Sequence, residues 1–368
     1  MPASHALGVI ACLVATLSWG GMFPVMADAM RHVDPYTLTT LRYSLAGLVF
    51  AALLWWREGR AAFRLRGERW RLAWALGSAG FTGFGFLVFC GQRMLGAAGV
   101  LNASIMMATM PLMSLLVAWA LWKRRPPLVS VGFVALAFAG VLLVVTRGEP
   151  ARLLAADGPW LANPLLLAGA LCWVGYTLGA TAFAGWSPLR YTALTTLLGT
   201  TTLIAAELLL IATGAIARPR LAALGETLPH LGYVTLLGGV VAVLAWNTGL
   251  AVISPLNGVL FINLVPVTAF TVSTLMGVPP APAQVAGAAL TMAALVANNL
   301  AQRRMAWAAA RRAGAAGSIG SAGSAGAAGA AAPSAQAATA RSSSGSAQLA
   351  RTASISAASR GESAPCRG

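Results

Sequence analysis

The sequence predicts an all-α, polytopic membrane protein of ten transmembrane helices, arranged as two inverted five-helix repeats. Three observations carry that prediction. Of 368 residues, 58% are hydrophobic and 9% charged, against roughly 25% charged in a soluble domain. The hydrophobic residues fall in blocks of about 20, the length that crosses a hydrocarbon core of ~30 Å at 1.5 Å per residue. An ordered set of asparagine, proline and glycine positions also recurs at an almost constant offset.

The blocks run over residues 7–27, 37–56, 71–90, 98–122, 128–146, 164–184, 191–213, 230–251, 256–276 and 282–301. They are too long for barrel strands and lack period-two alternation, so helices are the structures that satisfy their backbone in lipid. The first block has no basic residues ahead of it and ends on Trp19-Gly20-Gly21 and Pro24. It is therefore read as a retained span, not a cleaved signal. Cys12, Cys90 and Cys172 fall inside spans with no CxxC or Cys/His spacing, which makes them packing residues and gives no support for a metal or cofactor.

Basic residues between the blocks set the orientation. An even number of spans puts both termini on one side. The loops of that side and the adjoining tail carry fourteen basic residues, from the run Arg57–Arg71 to Arg312. The opposite loops carry six, Arg31, Arg93, Arg147, Arg152, Arg218 and Arg220. This bias predicts an inner-membrane protein with both termini cytoplasmic. The net charge of +16 is then topological, and nucleic acid is not expected as a partner, because no basic surface interleaved with aromatics exists. Residues 1–149 are read as the first repeat, 150–304 as the second, and 305–368 as a disordered Ala/Gly/Ser-rich cytoplasmic tail that has too little apolar surface to offset its ordering entropy.

Gln92, Leu101, Asn102, Pro111, Pro127 and Gly132 are matched 155 residues later by Asn247, Leu256, Asn257, Pro266, Pro282 and Gly287. Trp19 matches Trp173 at 154, and Pro35 matches Pro188 at 153. Five spans per repeat is an odd number, so the second copy enters the membrane from the opposite side. Inverted repeats are the architecture of alternating access, with a site near the midplane where the halves meet.

These residues resemble the EamA branch of the drug/metabolite transporter superfamily over roughly residues 7–301. The resemblance rests on Ser18-Trp19-Gly20, Asp34-Pro35 followed by Arg42, Trp246-Asn247, and Asn102…Pro111 with Asn257…Pro266. It implies ten helices with cytoplasmic termini, a central cavity lined by both repeats, peripheral fifth and tenth helices, and export of small metabolites, amino acids or drugs. One departure is visible. The Gly-Glu pair common after the fourth and ninth helices of the family is replaced by Trp122-Lys123-Arg124 and Gly277-Val278-Pro279.

Candidate site residues follow from what is costly or unusual in a bilayer. Pro111 and Pro266 interrupt helical bonding at mid-membrane and are read either as static bends or as hinges lining the cavity. Asn102 and Asn257, with Gln92, Asn247 and Asn263, either bond neighbouring helices or offer donors and acceptors to a polar substrate. Trp19 and Trp173 lie too deep for an interfacial belt and, with Tyr176, are candidates for an aromatic cavity wall. Arg42 and Glu207 are the ionisable groups placed within spans. Arg42 either snorkels or works inside. Glu207 either carries a proton or binds a substrate amine, pairs with Arg42, or lies at the interface.

Enzymatic chemistry has no support. His5, His32 and His230 sit at helix ends or loops without HxxxxD or HExxH context, Ser78 lies in Gly-Ser-Ala-Gly, and no Walker A sequence is present. The alternative to a transporter is a non-transporting membrane receptor or assembly scaffold. The expected partners are a small-molecule substrate and the lipid bilayer, the chain being a monomer or a homodimer. Uncharged, zwitterionic or lipophilic-cation substrates are favoured over phosphorylated ones, which need more cationic side chains than Arg42 alone.

Overall fold

A computed structural model describes residues 3–123, 127–149, 160–253 and 259–327, and among these every regular element is helical. The chain divides into a compact unit, Met1–Ala306, and a second unit, Trp307–Gly368. The elements are α1 (Ala3–Ala29), α2 (Pro35–Glu58), α3 (Trp70–Met94), α4 (Gly99–Ala108), α5 (Met110–Trp122) and α6 (Leu128–Thr146). They continue with α7 (Ala162–Gly179), α8 (Pro188–Ala212), α9 (Leu228–Ile253), α10 (Leu264–Leu275) and α11 (Pro282–Ala327).

Among the described residues, eight helices are long and apolar enough to cross a membrane, or nine if α4 and α5, bent by 44° at Thr109, form one span. This is a multi-pass membrane protein. The bend has a direct cause. Pro111 has no N–H to offer the Met107 carbonyl, so the preceding turn tightens and Thr109 donates to Met106. The ninth predicted span begins on residues outside the described set, as do Leu256 and Asn257. Its described part is a 3-10 turn, Val259–Asn263, followed by the short α10, which contains Pro266 near its start. The tenth helix continues past residue 301 to Ala327, through a sequence dominated by alanine, the strongest helix former.

The second helix of each repeat starts the same way. Asp34 caps α2 by accepting from the Tyr36 and Thr37 amides, with Pro35 at the first helical position. Ser187 caps α8 through the Arg190 amide, with Pro188 following. The third helices also correspond, because α3 and α9 each carry a six-residue π-helical segment, Ser78–Gly83 and Leu236–Val241.

Glycines reveal the packing directions. Gly8 lies against Val252 and Ile253, and Gly21 against Tyr233, so α1 and α9 run antiparallel. Gly91 faces Leu166 while Gly179 faces Leu76, so α3 and α7 do the same. Gln92 near the end of α3 bonds Phe23 near the end of α1, so these two run the same way. It follows that α7 opposes α1. Gly140 and Gly287 meet backbone to backbone where α6 crosses α11, as small residues in membrane helices allow, whereas Gly132 has open space around it.

Candidate functional site

The site forms where the inward stripes of helices from both repeats converge. On α2, Leu38, Arg42, Ala46, Phe50 and Leu54 recur every four residues and are all buried. Arg42 therefore points inward and does not snorkel, and it is 1% exposed. Its Nη2 donates to the Gly238 carbonyl at 2.9 Å, and its guanidinium stands 4.5 Å from the Tyr43 ring centroid, a cation–π contact. The same carbonyl accepts from Trp19 Nε1 at 3.1 Å. Gly238 lies within the π segment of α9, where i→i+5 pairing departs from the α-helical ladder. A Cβ at Gly238 would press on Met22 Sδ at 3.2 Å and touch Arg42 Nη2 at an ordinary contact distance of 3.6 Å.

Aromatic rings complete the centre. The matched Trp19 and Trp173 meet edge to face at 5.3 Å, and Trp19 also lies 5.4 Å from the fully buried Trp246. Trp173 continues to Phe84 at 5.3 Å and to Tyr176 at 5.1 Å. Between these groups is a narrow, water-sized cavity of about 20 Å³ lined by Trp19, Arg42, Tyr43, Phe84 and Trp173, with Met107, Met110 and Val265 from the α4–α5 and α10 side. Pro111 and Pro266 are not themselves in this wall; their neighbours Met110 and Val265 are.

Two further hollows open toward opposite ends of the antiparallel α1–α9 pair. One, of about 330 Å³, is lined by Asp28, Arg31, Gln92, Arg93 and Ser273, near the ends of α1, α3 and α10. The other, of about 450 Å³, is lined by Thr177, Thr181, Ser187, Tyr191 and Asn247, near the ends of α7 and α9 and the start of α8. One of the matched amides lines each hollow. Gln92 Nε2 donates to the Phe23 carbonyl at 2.8 Å. Asn247 Nδ2 donates to Tyr176 Oη at 2.9 Å and to Thr192 Oγ1 at 2.7 Å.

Other predicted residues are elsewhere. Asn102 is buried away from the cavity and accepts from Gln284 Nε2 at 3.4 Å, a long contact between α4 and α11. Glu207 is not brought to Arg42. It is half-buried on the far part of α8, where its neighbours Ile204, Leu208 and Leu209 are exposed. The packed stripe of α8 (Thr192, Thr195, Thr196, Gly199, Leu203) ends before it. Met22, Phe84, Met107, Met110 and Gly238 were not singled out by sequence reasoning. The signal for Gly238 was available in Gly238-Gly239 within an otherwise bulky apolar helix.

Known proteins share this organisation. The uncharacterized transporter YrdR of Bacillus subtilis is 33% identical over 299 residues, 81% of this chain and 92% of its own. A second Bacillus subtilis protein, the uncharacterized transporter YyaM, is 28% identical over 74% of this chain and 87% of its own. An uncharacterized transporter of Archaeoglobus fulgidus is 27% identical over 68% and 82%. One solved crystal structure, 20% identical, superposes with a TM-score of 0.59 over 81% of this chain and 98% of that one, a likeness of fold. The profile of the EamA-like transporter family matches twice, at residues 6–146 and 160–300, spacing its two copies as the Trp19/Trp173 pair is spaced. On these matches, the chain belongs to the EamA-like transporter family.

Proposed function

We propose that the protein is a secondary transporter that exports small metabolites, amino acids or drugs across the inner membrane by alternating access. In this reading ten spans form two inverted five-helix repeats, and both termini are cytoplasmic. One observation carries it. A central cavity lies between two hollows at opposite ends, each lined by one member of the matched amide pair Gln92 and Asn247, which in this reading act as its seals. Opening one seal while the other holds would expose the cavity to one side at a time. The opposed directions of α1 and α7 support the inversion.

The cavity supplies binding and no covalent chemistry. Aromatic faces give an amphipathic solute apolar contact, and Arg42 gives it one fixed charge. Glu207, outside this centre, is proposed as an interfacial side chain.

Two experiments test the reading. Comparing metabolites released by cells with and without the protein identifies what is exported, and purified protein in liposomes should then catalyse exchange of the same compound. A protein that binds the compound and never exchanges it would be a receptor. For orientation, cysteines placed in the 57–70 loop should resist an impermeant maleimide in intact cells while one beside Arg93 reacts. The opposite pattern would invert the topology.

A further inference from the structure

We infer that the central cavity selects a monoanionic carboxylate carried on an apolar or aromatic body, with Arg42 as the residue that binds the carboxylate. The inference deepens the transporter reading and rests on it for its physiological meaning.

The carrier observation is an unpaired buried charge. Arg42 is 1% exposed, and its Nε and Nη1 have no hydrogen-bond partner. Among the described residues no carboxylate pairs with it; its contacts are the Gly238 carbonyl and the face of Tyr43. A guanidinium at such depth is costly without a counter-charge or a full set of acceptors. The Gly238 carbonyl is itself shared with Trp19 Nε1, so the protein offers this cation a single, divided acceptor. Arg42 lines the cavity, and an acceptor that enters when this water-sized space widens would complete the donors left over on it. The interaction would be charge-assisted, and a guanidinium suits the planar two-oxygen geometry of a carboxylate.

Charge matching narrows the class. The cavity lining holds one cation and no acid, so a single negative charge is neutralised. A phosphate monoester would retain an unmatched charge, and a lipophilic amine would meet Arg42 as a like charge. The rest of the wall is Trp19, Phe84, Trp173, Met107 and Met110. That surface rewards a hydrophobic body and leaves a small inorganic anion without most of its contacts. Of the uncharged, zwitterionic and lipophilic-cation classes that the sequence left open, the lipophilic cation is thus the one this cavity suits least.

The test uses purified full-length protein in lipid nanodiscs at neutral pH. Equilibrium binding is measured for matched carboxylate, amide and amine probes built on phenyl, indole and hexyl bodies, for example indole-3-acetate, indole-3-acetamide and tryptamine. The carboxylate should bind at least about tenfold tighter than its amide on one or more bodies, the factor that one charge-assisted hydrogen bond supplies. The amine should bind weakest. Arg42→Gln should erase the acid-over-amide preference, while Arg42→Lys should keep part of it. Equal binding of acid and amide on every body, or preference for the amine, overturns the inference, and the wild-type series decides this even where Arg42→Gln fails to fold. Exchange in liposomes separates the two claims. Acid-selective binding without exchange defeats the transporter reading alone, and exchange of amides or amines with the acid excluded defeats this inference alone.

Discussion

The two ends of the bundle are closed by matched amides in different ways. At the end lined by Asp28, Arg31 and Arg93, Gln92 holds a main-chain carbonyl, Phe23 O, which its own helix fixes in place. At the other end no charged side chain among the described residues lines the hollow, and Asn247 holds two side-chain hydroxyls, on α7 and α8. One of them belongs to Tyr176, whose ring stacks on Tyr191 at 5.2 Å and whose backbone carbonyl accepts from Tyr191 Oη at 2.7 Å. The first seal joins two helices through one bond; the second ties three helices together. Under the proposed reading, the two repeats keep the position of the seal and differ in how many helices it ties together.

The largest expected effect tests whether the helix crossings behind the seals differ too. The second helix of one repeat crosses the third helix of the other at Gly77 with Gly199, and at Gly239 with Ala46. A Cβ at Gly77 would collide with the Thr195 backbone carbonyl, which cannot step aside. A Cβ at Gly239 would meet Val234 O at 3.3 Å and Ala46 Cβ at 3.4 Å, a tight but adjustable contact. Gly77→Ala should therefore cost about 1–3 kcal/mol as overpacking, visible as a lower melting temperature in detergent and reduced membrane yield. Gly239→Ala should stay within about 1 kcal/mol of wild type. Equal losses would show the two crossings to be equally tight.

The seals come next. Asn247→Ala removes two bonds and Gln92→Ala removes one, at about 0.6 kcal/mol each for hydrogen bonds between membrane helices. In a cysteine-free background, maleimide labelling of a reporter at Thr181 should accelerate in Asn247→Ala. A reporter at Ala27 should accelerate in Gln92→Ala, by a smaller factor. Acceleration of the same reporter by both substitutions would mean that one seal governs both ends.

The smallest effects lie in the loops outside the seals. Arg190 donates to the Ala62 and Arg64 carbonyls, pairs with Glu68 at 3.2 Å and stacks on Trp186. At the other end His230 and Asp28 meet at 2.9 Å with partial exposure. Arg190→Ala should speed amide hydrogen exchange across residues 59–69 by roughly the factor that ~0.5 kcal/mol allows. Asp28→Asn should change exchange near its helix end less, as for a partly exposed pair. A larger change from Asp28→Asn would reverse the order of the two ends.

Much of this architecture was legible along the chain. Span positions follow from uncharged length, the α2 and α8 starts from Asp34-Pro35 and Ser187-Pro188, and the α4–α5 bend from Pro111, because each is a local consequence of backbone chemistry. The Trp19/Trp173 wall was legible as two deep aromatics at matched positions. Asn102 was not, since an amide bonding a neighbouring helix and one facing a cavity look alike in sequence.

The sequence by itself determined that the chain crosses a bilayer many times in two related halves, because a membrane helix satisfies its own backbone and so declares its length and start locally. It also set Arg42 in phase with Leu38, Ala46, Phe50 and Leu54, which fixes the face it lies on. Only the tertiary structure decided what waits on that face. The acceptor is Gly238, 196 residues away in a π segment of α9, and Glu207 is not a partner at all. Helical period tells which side of a helix is buried. It does not tell which distant helix lies there or how that helix's bonding is broken, and on those two facts the charge of the cavity depends.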